Sequence, residues 1–184
     1  AVIHFAAFIE VDESTKRPAS YYYYKVVNTI LLLDVMAELK LKQIICSSSA
    51  AVYGNVDPAV LPIKETTPPN PFSPYGKNKR MMEQIIRYYQ EKFGMEWLAL
   101  RYFNACGASI DGELGESHSP ESHLIPVLLN RFFKGMTNYY MGTDYKTRDG
   151  TSLKDYIHVM DLATAHVAAL SLTGSRINRP YNLG

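Results

Sequence analysis

Gln43-Ile44-Ile45-Cys46-Ser47-Ser48-Ser49 is the stretch that decides the fold: a short apolar run closing on hydroxyls, which reads as a buried strand ending at a sheet edge. Upstream, Val26, Val27, Ile30, Leu31, Leu33 and Met36 recur at helical spacing. Before them, Val2-Ile3-His4-Phe5-Ala6-Ala7 is an apolar run of the kind buried in parallel sheets. Strand, helix and strand make a β-α-β unit. Downstream lies a loop carrying Pro58, Pro62, Pro68, Pro69 and Pro71. Ser73 and Pro74 then stand as N-cap and first residue of a helix with Met82, Ile85, Ile86, Tyr89 and Phe93 on one face and Gly94 as its stop. Trp97-Leu98-Ala99-Leu100-Arg101-Tyr102 is the next strand, a glycine- and charge-rich loop runs from Gly107 to Glu121, and Leu124, Val127, Leu128 and Phe132 mark another helix. A strand over Tyr156 to Val159, a helix from Asp161 to about Leu172 and a strand at Tyr181-Asn182-Leu183 complete the alternation. The pattern predicts an α/β fold, a doubly wound parallel sheet covered on both faces.

Composition narrows the function. At 184 residues, 47% hydrophobic and 20% charged, the chain can bury a normal core as one substantial domain. Nineteen basic against eighteen acidic side chains leave a net charge of +1, which gives no broad field for a polyanion and argues against nucleic acid and anionic membrane as partners. No apolar run approaches the roughly 20 residues of a membrane span and no charged-then-apolar leader opens the chain, so the expectation is a cytoplasmic protein. Cys46 and Cys106 lack metal spacing and read as reduced, buried thiols rather than a disulfide scaffold. The first strand begins without a methionine and the last runs straight into Gly184, so both ends read as cuts through structure.

Tyr75 and Lys79 are four apart on a helix and share one face. Three such pairs occur, with Tyr21/Lys25 and Tyr88/Lys92, so context must choose among them. Only Tyr75 opens a helix after the proline-rich loop, 26 residues beyond Ser49 at the end of the Gln43 strand. In parallel sheets ligands bind at the carboxyl ends of strands. Tyr88/Lys92, near the helix's far end, reads as solvated surface, and the run Tyr21 to Tyr24 as packing and interfacial surface. A tyrosine hydroxyl titrates near 10 and is a poor base at neutral pH unless a cation stabilises the phenolate, which Lys79 can do. A serine hydroxyl at the strand end can bond the substrate oxygen, and the set suits alcohol-to-ketone oxidation by hydride transfer. No histidine is placed to activate a serine for acyl transfer.

These residues lie within motifs that resemble the extended short-chain dehydrogenases. They are Ser47-Ser48-Ser49-Ala50-Ala51-Val52-Tyr53-Gly54, Ser73-Pro74-Tyr75-Gly76-Lys77-Asn78-Lys79, Leu100-Arg101-Tyr102-Phe103-Asn104, His123-Leu124-Ile125-Pro126, Gly142-Thr143-Asp144-Tyr145 and Asp155-Tyr156-Ile157-His158-Val159. Within that family the chain is most similar to the UDP-glucose (UDP-galactose) 4-epimerases. Related dehydratases usually carry an Asp-Glu pair where Ala50 and Ala51 stand. The resemblance implies a Rossmann-like fold lacking its N-terminal strands, with NAD as cofactor, a UDP-sugar as substrate and a homodimer in the full-length protein. It implies that residues 1–106 are the C-terminal part of the NAD-binding domain and 107–184 mostly nucleotide-sugar-binding, with 155–172 returning to the first. By motif, Ser49 would meet the sugar O4, Tyr75 would be the base and Lys79 would bind the nicotinamide ribose. Phe5, Ala6, Ser47 and Phe103 would lie along the cofactor, and Asn104, Leu124 and Lys154 would face the nucleotide sugar. The implied reaction interconverts UDP-glucose and UDP-galactose through a 4-keto sugar. Alternatives are another NAD-dependent nucleotide-sugar enzyme (dehydratase, decarboxylase or reductase) or a non-catalytic member of the fold.

The sequence departs from that family at five positions: Ile9 for lysine or serine, Lys25 for asparagine, Ala51 for threonine or serine, Met141 for an aromatic residue that stacks on uracil, and Lys154 for arginine. Lysine keeps charge at 154 without the bidentate phosphate geometry of arginine, and methionine covers a base by dispersion alone. A dinucleotide site also needs a glycine-rich turn after the first strand and a later acidic residue. Neither is present, and the resemblance places them upstream, in about two further β-α units of ~60 residues. His158 reads as a packed structural histidine. His118 and His123 read as too isolated for a metal site and Glu116 as a solvated loop charge, so no metal is expected.

Overall fold

The computed structural model describes residues 1–139 and 142–184, leaving the Met141 expectation outside the described residues. In chain order the elements are β1 (Val2–His4), α1 (Val11–Lys16), α2 (Pro18–Tyr22), a π-helical turn (Tyr23–Val27), α3 (Asn28–Glu38), β2 (Gln43–Ser49) and α4 (Pro74–Phe93). There follow β3 (Glu96–Tyr102), β4 (Asn104–Cys106), α5 (Leu124–Phe133), β5 (Tyr156–His158), α6 (Val159–Leu170) and β6 (Arg179–Leu183). They form two units, one of residues 1–103 with 164–184 and one of residues 104–163.

The first unit is built on a parallel sheet in the order β1-β2-β3-β6. Successive strand side chains point to opposite faces, so β2 and β3 feed two cores at once. Ile44, Cys46, Trp97 and Ala99 pack with Leu33 and Met36 of α3 and Ile86 and Tyr89 of α4. Ile45, Leu98 and Leu100 pack with Ala169 of α6 on the other face. Both faces are therefore covered, which is why β2 and β3 read as unbroken apolar runs and the sheet is doubly wound.

At the sheet's margin the expected strand over Val2 to Ala7 shortens to Val2–His4. β1 pairs with β2 on one side only among the described residues, and Ile3 and Phe5 are 37% and 56% exposed. A buried network ties the sheet to α4. Arg101 donates from Nε to Glu83 Oε1 at 2.9 Å and from Nη2 to Oε2 at 2.6 Å, and from Nη1 to Tyr53 Oη at 2.7 Å. Ser48 Oγ donates to Glu83 at 2.6 Å, and Tyr53 Oη to Asn182 Oδ1 at 2.6 Å. This one network joins β2, β3, β6 and α4.

The second unit carries a parallel pair, β4 with β5, in the register Asn104 to Tyr156 and Cys106 to His158. The Tyr156 strand was expected; its partner β4, three residues long and too short for alternation to show in sequence, adds to the expected pattern. Cys46 is buried as expected, whereas Cys106 is half-buried and donates from Sγ to the Ile157 carbonyl at 3.6 Å. Among the described residues no helix is long and apolar enough to cross a membrane.

Candidate active site

Helix α4 begins where side chains tell it to. Ser73 Oγ accepts from Gly76 N at 3.1 Å, Pro74 fills the first helical position and Gly94 ends the helix at φ +66°. The Tyr75 amide, one of the free donors of the first turn, donates to Ser14 Oγ at 3.1 Å, so buried Ser14 of α1 fixes the helix start. Ser49 Oγ accepts from Ala51 N at 3.2 Å and turns the chain away from β2. That turn lies directly on α4 at Gly76, where an added Cβ would come within 2.4 Å of the Ala51 carbonyl oxygen and 3.1 Å of Pro71 Cβ. Gly76→Ala should therefore push the turn off the helix and destabilise the fold by about 1–3 kcal/mol. A urea midpoint unchanged from wild type would show that this packing is dispensable.

The close approach brings the Ser49 and Tyr75 hydroxyls together. Burial pushes the Tyr75 hydroxyl up, and its hydrogen bond to Ser49 draws it partly back. One turn along α4, Lys79 is 3% exposed and donates from Nζ to the Ser47 carbonyl at 2.5 Å, with Ser47 Oγ at 3.5 Å. Its Nζ lies 5.9 Å from the centre of the Tyr75 ring. Burial lowers Lys79 to about 8, while Cys46 and Glu83 oppose that shift. Ser47, Ser49, Tyr75 and Lys79 thus converge at the carboxyl end of β2.

Phe5, Ala6 and Phe103 sit at the same ends of neighbouring strands, where open parallel sheets bind ligands. Phe5 and Ala6 follow β1 and are exposed. The Phe5 ring lies 4.7 Å from that of His166, which shares a 2.6 Å hydrogen bond with Tyr102 Oη. Phe103 follows β3, half-buried, and its amide donates to the Leu183 carbonyl at 3.1 Å. Asn104, Leu124 and Lys154 belong to the second unit. There Asn104 donates to the Asp155 carbonyl from its amide at 3.0 Å and from Nδ2 at 2.6 Å. Leu124 opens α5 at 51% exposure, and Lys154 is exposed just before β5.

A family model described as the NAD dependent epimerase/dehydratase family matches residues 1–184. The chain belongs to this epimerase/dehydratase family. It is 46% identical over 187 residues to UDP-glucose 4-epimerase of Streptococcus mutans, covering 100% of this chain and 55% of that protein. It is 42% identical over 189 residues to UDP-arabinose 4-epimerase 1 of Arabidopsis thaliana, covering 100% of this chain and 45% of that protein. The crystal structure of UDP-glucose 4-epimerase from Brucella ovis in complex with NAD superposes with a TM-score of 0.92 at 45% identity, over 100% of this chain and 57% of that one. The chain spans about half the length of the curated relatives it matches.

Of the five positions that depart from the family pattern, one lies against Tyr75. Lys25, on the π-helical turn, is fully buried with its Nζ 3.6 Å from the centre of the Tyr75 ring and 5.0 Å from that of Tyr21. The Tyr21/Lys25 spacing was the available signal. Within the tyrosine run, Tyr21 is buried while Tyr23 and Tyr24 are 58% and 50% exposed, so the surface reading holds for only part of it. Tyr88, 62% exposed, and exposed Lys92 are surface as read.

The histidines depart from expectation. His158 is exposed rather than buried; it accepts from Met160 N at 3.2 Å, capping α6, and its ring fills the space where Gly107 has no side chain. His118 and His123 are not isolated. The loop folds back through Glu121, whose carboxylate accepts from the Ser122 and His123 amides at 2.8 and 2.9 Å. The two rings then lie 5.1 Å apart, His118 is 3.4 Å from both Glu116 and Glu121, and His123 contacts Glu116. Two carboxylates and two imidazoles thus bring their ligand atoms within 4.8 Å of one another in this loop, a grouping of the kind that could hold a metal ion.

Proposed function

We propose that the protein containing this chain is an NAD-dependent nucleotide-sugar 4-epimerase that interconverts UDP-glucose and UDP-galactose. The observation that carries this reading is the convergence of the Ser49 hydroxyl, the Tyr75 hydroxyl and the Lys79 ammonium at one strand end. The residues present fit the nicotinamide end of the cofactor: the Lys79 amine is held at the sheet edge by Ser47, beside the exposed ends of β1 and the half-buried Phe103. Tyr75, Lys79 and Ser47 would hold its ribose, with Phe5, Ala6 and Phe103 alongside. When bound, NAD supplies the acceptor and donor for the C4 hydride.

The chain's own groups handle the proton. Tyr75 as phenolate takes the proton of the sugar's 4-hydroxyl as C4 is oxidised and gives it back when C4 is reduced on the other face. Ser49 bonds the same oxygen and fixes its direction, and the positive charge of Lys79 favours the phenolate. By motif, Asn104, Leu124 and Lys154 are the candidates for the nucleotide sugar, and Lys154, which is exposed, carries the charge suited to a diphosphate. Dimerisation of the whole protein is supported by Val27, Leu31 and Val35, apolar side chains one turn apart and 37–55% exposed along the π-helical turn and α3.

The test is product analysis with the full-length protein. Supplied with NAD and UDP-glucose, it should form UDP-galactose with no net change in NADH. A dehydrated, decarboxylated or reduced product would reassign it within the family. UDP-xylose and UDP-arabinose are the second substrate pair to assay, given the likeness to the Arabidopsis thaliana UDP-arabinose 4-epimerase.

A further inference from the structure

The loop between β4 and α5 carries the same tripeptide twice, as Glu116-Ser117-His118 and again as Glu121-Ser122-His123. Four metal-binding side chain types therefore recur in one short stretch. The fold of the loop gathers one ligand atom from each of them to within 4.8 Å of all the others. The reaction proposed above uses none of the four.

The spacing fits a single ion. Four ligands about 2.1 Å from a tetrahedral zinc stand about 3.4 Å from one another. His118 lies 3.4 Å from Glu116 through Nδ1 and 3.4 Å from Glu121 through Nε2, and His123 Nδ1 lies 4.0 Å from Glu121. One nitrogen of His118 would bind and the other would stay outside the shell. His123 also contacts Glu116 directly, so this pair parts to admit the ion.

The ligands are also oriented from outside the cluster. Metal-binding carboxylates are ordinarily fixed by hydrogen bonds of their own. Glu121 Oε1 accepts from the Ser122 and His123 amides at 2.8 and 2.9 Å, and a carboxylate with about four acceptor positions keeps capacity for an ion. Upstream, the Ser109 amide donates to the Leu114 carbonyl at 2.8 Å and Ser109 Oγ accepts from the Leu114 amide at 2.9 Å, so Glu116 follows a closed turn. Downstream, His123 is the N-cap residue of α5 but its ring makes no capping bond, which leaves the imidazole to the cluster.

Charge selects the class of ligand. Among the described residues the partners of both glutamates are these imidazoles and backbone amides, not a lysine or arginine. With neutral imidazoles, the two carboxylates balance a divalent cation. The positive end of α5 favours the carboxylates and not the ion, so the ion is held by its ligands alone. Two imidazoles beside two carboxylates suit zinc and its first-row neighbours, whereas magnesium and calcium take oxygen ligands.

We propose that Glu116, His118, Glu121 and His123 bind one divalent cation of the zinc type, which ties the loop to the start of α5. Four protein ligands leave no open position, so the role is structural. The proposal is independent of the reaction assigned above.

The deciding experiment titrates tag-free full-length protein, stripped with EDTA and dialysed, with zinc chloride in competition with a chromophoric chelator. Wild type should bind one Zn²⁺ per chain more than the double variant His118→Gln/His123→Gln, at micromolar or lower free zinc. Glu121→Gln, which keeps an acceptor for the two amides, and His123→Gln should each weaken binding by about a hundredfold, since loss of a merely supporting residue already costs about 10–100-fold. Glu113→Gln, an exposed carboxylate of the same loop outside the cluster, should bind as wild type does. Cobalt(II) in wild type gives a readout that needs no variant, and should show the intense visible bands of a four-coordinate ion. Equal zinc uptake by wild type and the double variant, binding only at millimolar zinc, or weakly absorbing six-coordinate cobalt overturns the proposal and leaves the cluster as ion pairs.

Discussion

Replacing Tyr75 with phenylalanine should lower turnover of the full-length protein by two to four orders of magnitude while leaving its fold and cofactor content unchanged. Removing a general acid-base group has this range of effect. The substitution deletes one oxygen from a half-buried ring and leaves the contacts that define the start of α4, the Ser73 cap and the Ser14 bond to the Tyr75 amide, untouched. The loss should therefore fall on kcat and not on the unfolding temperature. Tyr88→Phe is the matched control, because Tyr88 is 62% exposed and remote from the β2 edge. Turnover within threefold of wild type for Tyr75→Phe would remove it as the base.

The second large effect is structural. Arg101 and Glu83 are 2% and 3% exposed and joined by two parallel hydrogen bonds. Removing one member of such a pair strands the other charge out of water, at a typical cost of 3–5 kcal/mol. Arg101→Met leaves Glu83 with the Ser48 hydroxyl at 2.6 Å and the partly exposed Arg80 at 3.3 Å, which cannot replace a bidentate guanidinium. Glu83→Leu leaves the Arg101 guanidinium, among the described residues, with the Tyr53 hydroxyl at 2.7 Å. Each single substitution should lower stability by about 3–5 kcal/mol in urea titration, and the double one by much less than their sum, because no lone charge then remains. Additive losses would show that the two side chains do not act as a pair.

The parts of the fold legible in the sequence are those whose signals are local. Helix α4 declares both ends through Ser73, Pro74 and Gly94, and β2 and β3 announce burial on two faces by their unbroken apolar runs. The strand at Tyr156 was legible, but β4 and its pairing with β5 were not, because a strand of three residues shows no period and the partners are 52 positions apart. At the site, the Tyr75/Lys79 spacing and the hydroxyls closing β2 could be read as a constellation. The contact of Lys25 with Tyr75 could not, since it depends on a π-helical turn that swings a polar side chain inward within a run of tyrosines. The His118 and His123 cluster escaped for a related reason: spacing alone does not show a loop folding back on the Glu121 carboxylate.

The two thiols differ enough to make this chain convenient for chemical labelling. Cys46 lies within the core between α3, α4 and the sheet, and burial pushes its thiol up to about 12. Alkylating reagents consume thiolate, so Cys46 should resist maleimide under native conditions. Cys106, half-buried on the small sheet, keeps a path to solvent. A single equivalent of a fluorescent maleimide should therefore mark Cys106 of this chain ahead of Cys46, with no substitution in the sequence. Prolonged exposure that modifies Cys46 as well would instead time how often the core opens.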